Sequence, residues 1–134
     1  LSDEIRGKIT ACTDVTGFGL AGHALDLPAG NVSVEIYSDK LPLLPGIKEM
    51  SNMGLIPAGS YANKQHIGDK VFNKAKIGRF ADDLAFDPQT SGGLLISIPA
   101  EYEISLLEEL HKGGFAGAVT IGRFVEGDGT LTLL

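Results

Sequence analysis

Short stretches of alternating apolar and polar residues are interleaved with longer ones at helical spacing, and glycine or proline marks most of the breaks. Ile9-Thr10-Ala11-Cys12 is apolar and β-prone, and Phe18 to Leu27 carries apolar and small residues at helical spacing. Asp14, Gly17 and Gly19 lie between them, an order that predicts strand, tight turn and helix. Leu27-Pro28-Ala29-Gly30-Asn31 stops that helix. Val32 to Tyr37 alternates as a strand, and Leu41 to Leu44 continues as an extended apolar segment. Pro45 fits a first helical position, opening a short helix through Met53 that Gly54 ends, with Met50 and Met53 as core contacts. Ile56 to Ile67 is too polar for core and too long for a tight turn, which predicts a binding loop. Gly68 to Ala81 is weakly patterned and basic, and predicts a solvated face.

The second half is more regular. Asp82 to Phe86 leads into a polar turn, and Leu94 to Ile98 follows as an apolar strand ended by Pro99. Ala100 to Leu110 reads as an amphipathic helix with Ile104, Leu107 and Leu110 on one side. His111-Lys112-Gly113-Gly114 suits its C-terminal end. Ala118 to Val125 then predicts a strand, Glu126-Gly127-Asp128-Gly129 a hairpin turn, and Thr130 to Leu134 a returning strand.

Length and charge narrow the picture. The 134 residues suffice for one domain with its own core, so residues 9–134 read as a single domain behind a polar connector, residues 1–8. A chain that starts at Leu1 and not Met reads as a piece of a longer protein. The formal charge of −6, with no cluster of Lys and Arg, argues against a nucleic-acid surface. A small phosphorylated ligand stays open if a metal ion or a partner supplies positive charge. The lone Cys12 excludes an internal disulfide, fits a reducing compartment and reads as a small buried thiol within the first strand. No apolar run approaches a membrane span, and no signal peptide is visible.

Two stretches carry candidate chemistry. In Thr13-Asp14-Val15-Thr16-Gly17-Phe18-Gly19-Leu20-Ala21-Gly22 an aspartate closes a strand where a helix begins. Helix N-termini favour phosphate, and a carboxylate beside a phosphate is repulsive unless a divalent cation such as Mg²⁺ lies between them. Alternatively, Asp14 or Thr16 only caps the helix. A third reading is a Rossmann fingerprint, because Gly17 to Gly22 fits G-x-G-x-x-G and Glu35 or Asp39 could serve as its acid. The polar run ahead of Gly17 and the missing strand–helix repeat speak against it. The second stretch is Asp87-Pro88-Gln89-Thr90-Ser91-Gly92-Gly93. It predicts either a turn bonded to itself or an anion-binding loop whose glycines let backbone come close.

Together, Ala11 to Leu20 and Phe86 to Leu95 closely resemble the C-terminal domain of selenophosphate synthetase (selenide, water dikinase). Gly54-Leu55-Ile56-Pro57 followed by Asn63, and Ala118-Val119-Thr120-Ile121-Gly122, are similar to the same family in the same order. The resemblance covers nearly the whole chain. The wider superfamily includes aminoimidazole ribonucleotide synthetase, formylglycinamide ribonucleotide amidotransferase and a hydrogenase maturation factor. The wording of both motifs favours the selenium enzyme among them.

The resemblance implies an α+β fold, a mixed sheet covered by helices and partly ferredoxin-like, with a separate N-terminal domain that forms a homodimer. It implies a cytoplasmic enzyme that converts selenide, ATP and water to selenophosphate, AMP and orthophosphate. Asp14 matches the family's C-terminal Mg²⁺ ligand. Thr13, Thr16, Gly17 and Gly19, with Asp87, Gln89, Thr90, Ser91, Gly92 and Gly93, would line the phosphate cleft. The family's reactive Cys or selenocysteine and its Lys belong to the N-terminal domain, so no catalytic residue is expected in this piece, and Cys12 is not that cysteine. Two alternatives stay open: a nucleotide-binding paralogue without chemistry, and a superfamily enzyme acting on a ribonucleotide.

Overall fold

The computed structural model describes residues 1–28 and 31–134, so Ala29 and Gly30 of the expected helix stop lie outside the described residues. Its helices are α1 (Asp3–Arg6), α2 (Gly19–Asp26), α3 (Ile47–Asn52), α4 (Ala58–Ile67), α5 (Arg79–Phe86) and α6 (Glu103–Lys112). Its strands are β1 (Ala11–Asp14), β2 (Val32–Ile36), β3 (Val71–Asn73), β4 (Leu94–Ser97), β5 (Gly122–Glu126) and β6 (Leu131–Leu133). The strands form a mixed four-stranded sheet in the order β3-β6-β2-β5 and a separate antiparallel pair, β1 with β4. The fold is α+β, as the resemblance implies.

Alternation sets the main sheet. Val34 and Ile36 pair in parallel register with Leu131 and Leu133, and side chains two apart share a face. All four are buried, and Ala21 and Ala24 of α2 with Ala81, Ala85 and Phe86 of α5 complete the cluster. The small alanines let α2 and α5 pack closely over that face.

Several expectations are corrected. Residues predicted as a binding loop form helix α4 from Ala58 to Ile67. Its inward residues are polar, Ser60 and Asn63, so no apolar period betrayed it. The weakly patterned basic stretch contains β3, an edge strand held by parallel pairing with β6, and the start of α5. The expected hairpin of β5 and β6 does not form, because β2 lies between them. The connection instead steps over the start of β2, where the Gly127 amide donates to the Asn31 carbonyl at 3.2 Å. β5 also begins at Gly122, later than Ala118.

Cys12 is exposed, because β1 pairs only with β4 and its alternation turns Cys12 and Asp14 to solvent. Met50 and Met53 are exposed and not core. In α6 the buried residue is Leu106, while Ile104 is 72% exposed. The polar connector, residues 1–8, forms a short helix capped by Ser2 and buries Ile5.

Leu131→Ala is expected to destabilise by about 3–5 kcal/mol in urea unfolding, since a fully buried side chain leaves a cavity in the central strand. Ile104→Ala should cost less than about 0.5 kcal/mol. Equal losses would overturn this placement of the core.

Candidate active site

β1 ends at Asp14, paired with Leu94 at the start of β4, so the loops beyond them run side by side. The Val15 amide donates to the Gly93 carbonyl at 2.9 Å, and the Gln89 amide to the Thr16 carbonyl at 3.1 Å. The structure thus joins the two motif stretches that stand more than seventy residues apart, from Asp14 to Asp87.

Glycine permits this approach. At Gly19, with φ +70°, a Cβ would stand 2.9 Å from the Asp87 carbonyl oxygen. At Gly92 it would meet the Val15 side chain at 3.0 Å. Gly93 is different: the space around it is open, and its φ of +80° is what disfavours other residues. The expectation that both glycines exclude a side chain for want of room therefore holds only at Gly92.

Helix α4 closes over the junction. The buried Asn63 amide donates from Nδ2 to the Gly17 carbonyl at 2.8 Å and to the Phe86 carbonyl at 3.0 Å. One side chain thereby ties both loops. Gly59 of the same helix lies against Pro88, where a Cβ would be 3.0 Å from the ring. Sequence reasoning took Asn63 only as a family match. Its signal was Pro57 standing just ahead of ten residues that can continue a helix.

The capping reading fails. The residue at the α2 N-cap, Phe18, makes no side-chain cap bond, and neither Asp14 nor Thr16 serves. The Thr16 hydroxyl instead pairs with His23 Nε2 at 3.0 Å, and its carbonyl accepts from the Gly19 amide at 2.9 Å. The Asp14 carboxylate is exposed and accepts no side-chain or backbone hydrogen bond among the described residues. Thr13, half-buried on β1, turns its hydroxyl to the Asp14 carbonyl at 3.3 Å. Thr90 and Ser91 are exposed at the tip of the second loop.

Asp87 differs from Asp14. Burial pushes its carboxyl above the ordinary aspartate range, and the negative charge of Asp83 adds to this. The hydrogen bond from Gln89 Nε2, at 2.6 Å, acts in the opposite direction and only partly offsets it. Asp87 thus sits partly buried in the junction, while Asp14 faces outward.

Mg²⁺ needs oxygen ligands and commonly takes one or two carboxylates alongside phosphates and water. Asp14 fits a single such ligand. No group of three or more His, Cys, Asp or Glu that could hold a metal occurs among the described residues. No described helix is long and apolar enough to cross a membrane.

In this α+β domain the exposed carboxylate of Asp14 stands beside two interlocked glycine loops. The chain belongs to the family described as AIR synthase related protein, C-terminal domain, which matches residues 1–133. It is similar to a protein named "Selenide, water dikinase" from Caldanaerobacter subterraneus subsp. tengcongensis, 45% identical over 119 residues, covering 88% of this chain and 34% of the relative. The protein of the same name from Clostridioides difficile is 41% identical over 128 residues, 94% of this chain and 37% of the relative. That from Campylobacter jejuni is 47% identical over 103 residues, 75% and 28% respectively. The chain thus spans about a third of the length of the curated relatives it matches.

Two measurements test the junction. Asn63→Leu keeps the volume but orphans two carbonyls, and should destabilise by about 2–4 kcal/mol, against less than about 0.5 kcal/mol for the exposed Gln65→Leu. An Asn63→Leu protein as stable as the parent would remove the clamp. For Asp87 the folded-state pKa is raised, so its contribution is full below the unfolded value, near 3.8, and is lost as pH rises through the folded value. Asp87→Asn should therefore gain melting temperature relative to the parent between acid and neutral pH. A difference that is flat or falls with pH contradicts the assignment.

Proposed function

We propose that this chain forms the ATP-facing half of a selenide, water dikinase, with Asp14 as one Mg²⁺ ligand. The observation that carries the reading is the junction itself: two motif loops meet at the end of β1 with one carboxylate left outward. The names of the relatives supply the reaction class. No observation favours a paralogue without chemistry or an enzyme acting on a ribonucleotide.

In the proposed reaction selenide, ATP and water give selenophosphate, AMP and orthophosphate. Such phosphoryl transfer depends mainly on positioning and on neutralising charge at the phosphate oxygens. When bound, Mg²⁺ supplies that neutralisation. Asp14 holds its negative charge at a rigid strand end, where β1–β4 pairing fixes its direction. Gly17, exposed and without a side chain, leaves room for phosphate beside Thr16 and Gly19. Gln89, Thr90 and Ser91 with Gly92 and Gly93 form the facing edge of the cleft. The nucleophile and its Lys come from the N-terminal domain, which also carries the homodimer contact, and the enzyme works in the cytoplasm.

The test is Asp14→Asn in the full-length protein. Asn keeps the shape but removes the charge a hard cation wants, so turnover should fall about a hundredfold or more. The melting temperature without nucleotide should stay the same or rise, since Asp14 makes no bond whose loss would unfold the chain. A stable variant with near-normal turnover at ordinary Mg²⁺ would defeat the ligand role.

A further inference from the structure

The β1–β4 pair and the main sheet do not close on one another. Between them runs an apolar groove of about 900 Å³, lined by Leu95 of β4, Leu106 and Leu110 of α6, Ile36 and Phe124 of the main sheet, and Met50 of α3. Protein interiors are close-packed, and a dry cavity of about 150 Å³ is already large. Leu44 and Leu55, which also line the groove, are 75% and 63% exposed. No single rotamer change fills a space of this size; it takes an element of secondary structure.

We propose that the groove seats an amphipathic segment of the longer polypeptide, one that precedes residue 1 and enters along α6. The first residues of the chain are fastened to α6, the helix whose Leu106 and Leu110 line the groove. The Ser2 amide and hydroxyl both donate to the Glu109 carboxylate of α6, each at 2.6 Å, and Ile5 is buried. Leu106 and Leu110, three residues before and one after Glu109, line the groove. The family is by description a C-terminal domain, and the relatives are about three times as long, so chain is available ahead of this point. A segment joined at Ser2 also has a high effective concentration, on the order of millimolar for a short connection. An untethered partner has no such advantage.

The inference rests on family membership and the groove, not on the proposed reaction, and both of its readouts are independent of turnover. Met50 lines the groove whereas Met53, 68% exposed on the same turn region, does not. In the full-length protein, peroxide should convert Met50 to sulfoxide about tenfold more slowly than Met53, at every protein concentration. Equal rates would overturn the proposal. Slow oxidation alone could reflect closure of the groove on itself, so the second readout is the replacement of exposed Leu44 by the photocrosslinker p-benzoylphenylalanine. On irradiation, the crosslink should reach a peptide ahead of residue 1 in the same chain, independent of concentration. Crosslinks confined to residues 1–134 would mean that the groove closes on itself. Crosslinks between two copies, rising with concentration, would make it an oligomer interface. Either result overturns the proposal.

Discussion

The Asp87 carbonyl packs against Gly19 where any side chain would collide, and from that contact the rest of the cleft follows. With the two backbones in touch, Asn63 can reach both the Gly17 and Phe86 carbonyls, and α4 is seated. Once α4 is seated, Lys64 pairs with Asp82 at 2.7 Å. The polar layer is therefore built around a backbone contact that leaves no room for side-chain adjustment. Exposed ion pairs such as Lys64–Asp82 add little by comparison, because water screens them.

Much of the frame was legible because local pattern and tertiary role agree in it. β1, α2, β2, β4 and α6 each lie near where the local pattern puts them, and the two motif loops fall where strand meets turn. The failures share one cause: the deciding partner is distant. α4 hides because its buried face consists of Ser60 and Asn63, and Asn63 bonds to carbonyls 23 and 46 residues away. β3 is short and half polar, and only β6 makes it a strand. The Glu126–Gly129 turn signal is real, yet β2 takes the pairing that a hairpin would have used. Cys12, Met50 and Met53 were placed inside on residue type, and that alone does not say which faces the fold leaves uncovered.

The site was legible as two motifs but not as an arrangement. Asp87 and the glycines beside it share one loop, yet Asp87 is partly buried and accepts from Gln89, a difference the motif does not reveal. The Asp14 carboxylate is exposed, with no hydrogen bond among the described residues. The division is physically sensible. A carboxylate in the open keeps its hydration, and one drawn toward the interior is harder to ionise unless neighbours donate to it.

The order of the main sheet, β3-β6-β2-β5, puts the last strand of the domain at its centre. Leu131 and Leu133 are fully buried, and parallel pairing on both sides ties β6 to β2 and β3. During synthesis, therefore, a hundred or so residues of this domain emerge before its sheet can close, with Val34, Ile36 and the alanines of α2 and α5 still lacking their partners. Non-local pairing of this kind slows folding and leaves apolar surface open to wrong partners meanwhile. Until β6 is made the sheet lacks its centre, and those apolar faces stay uncovered.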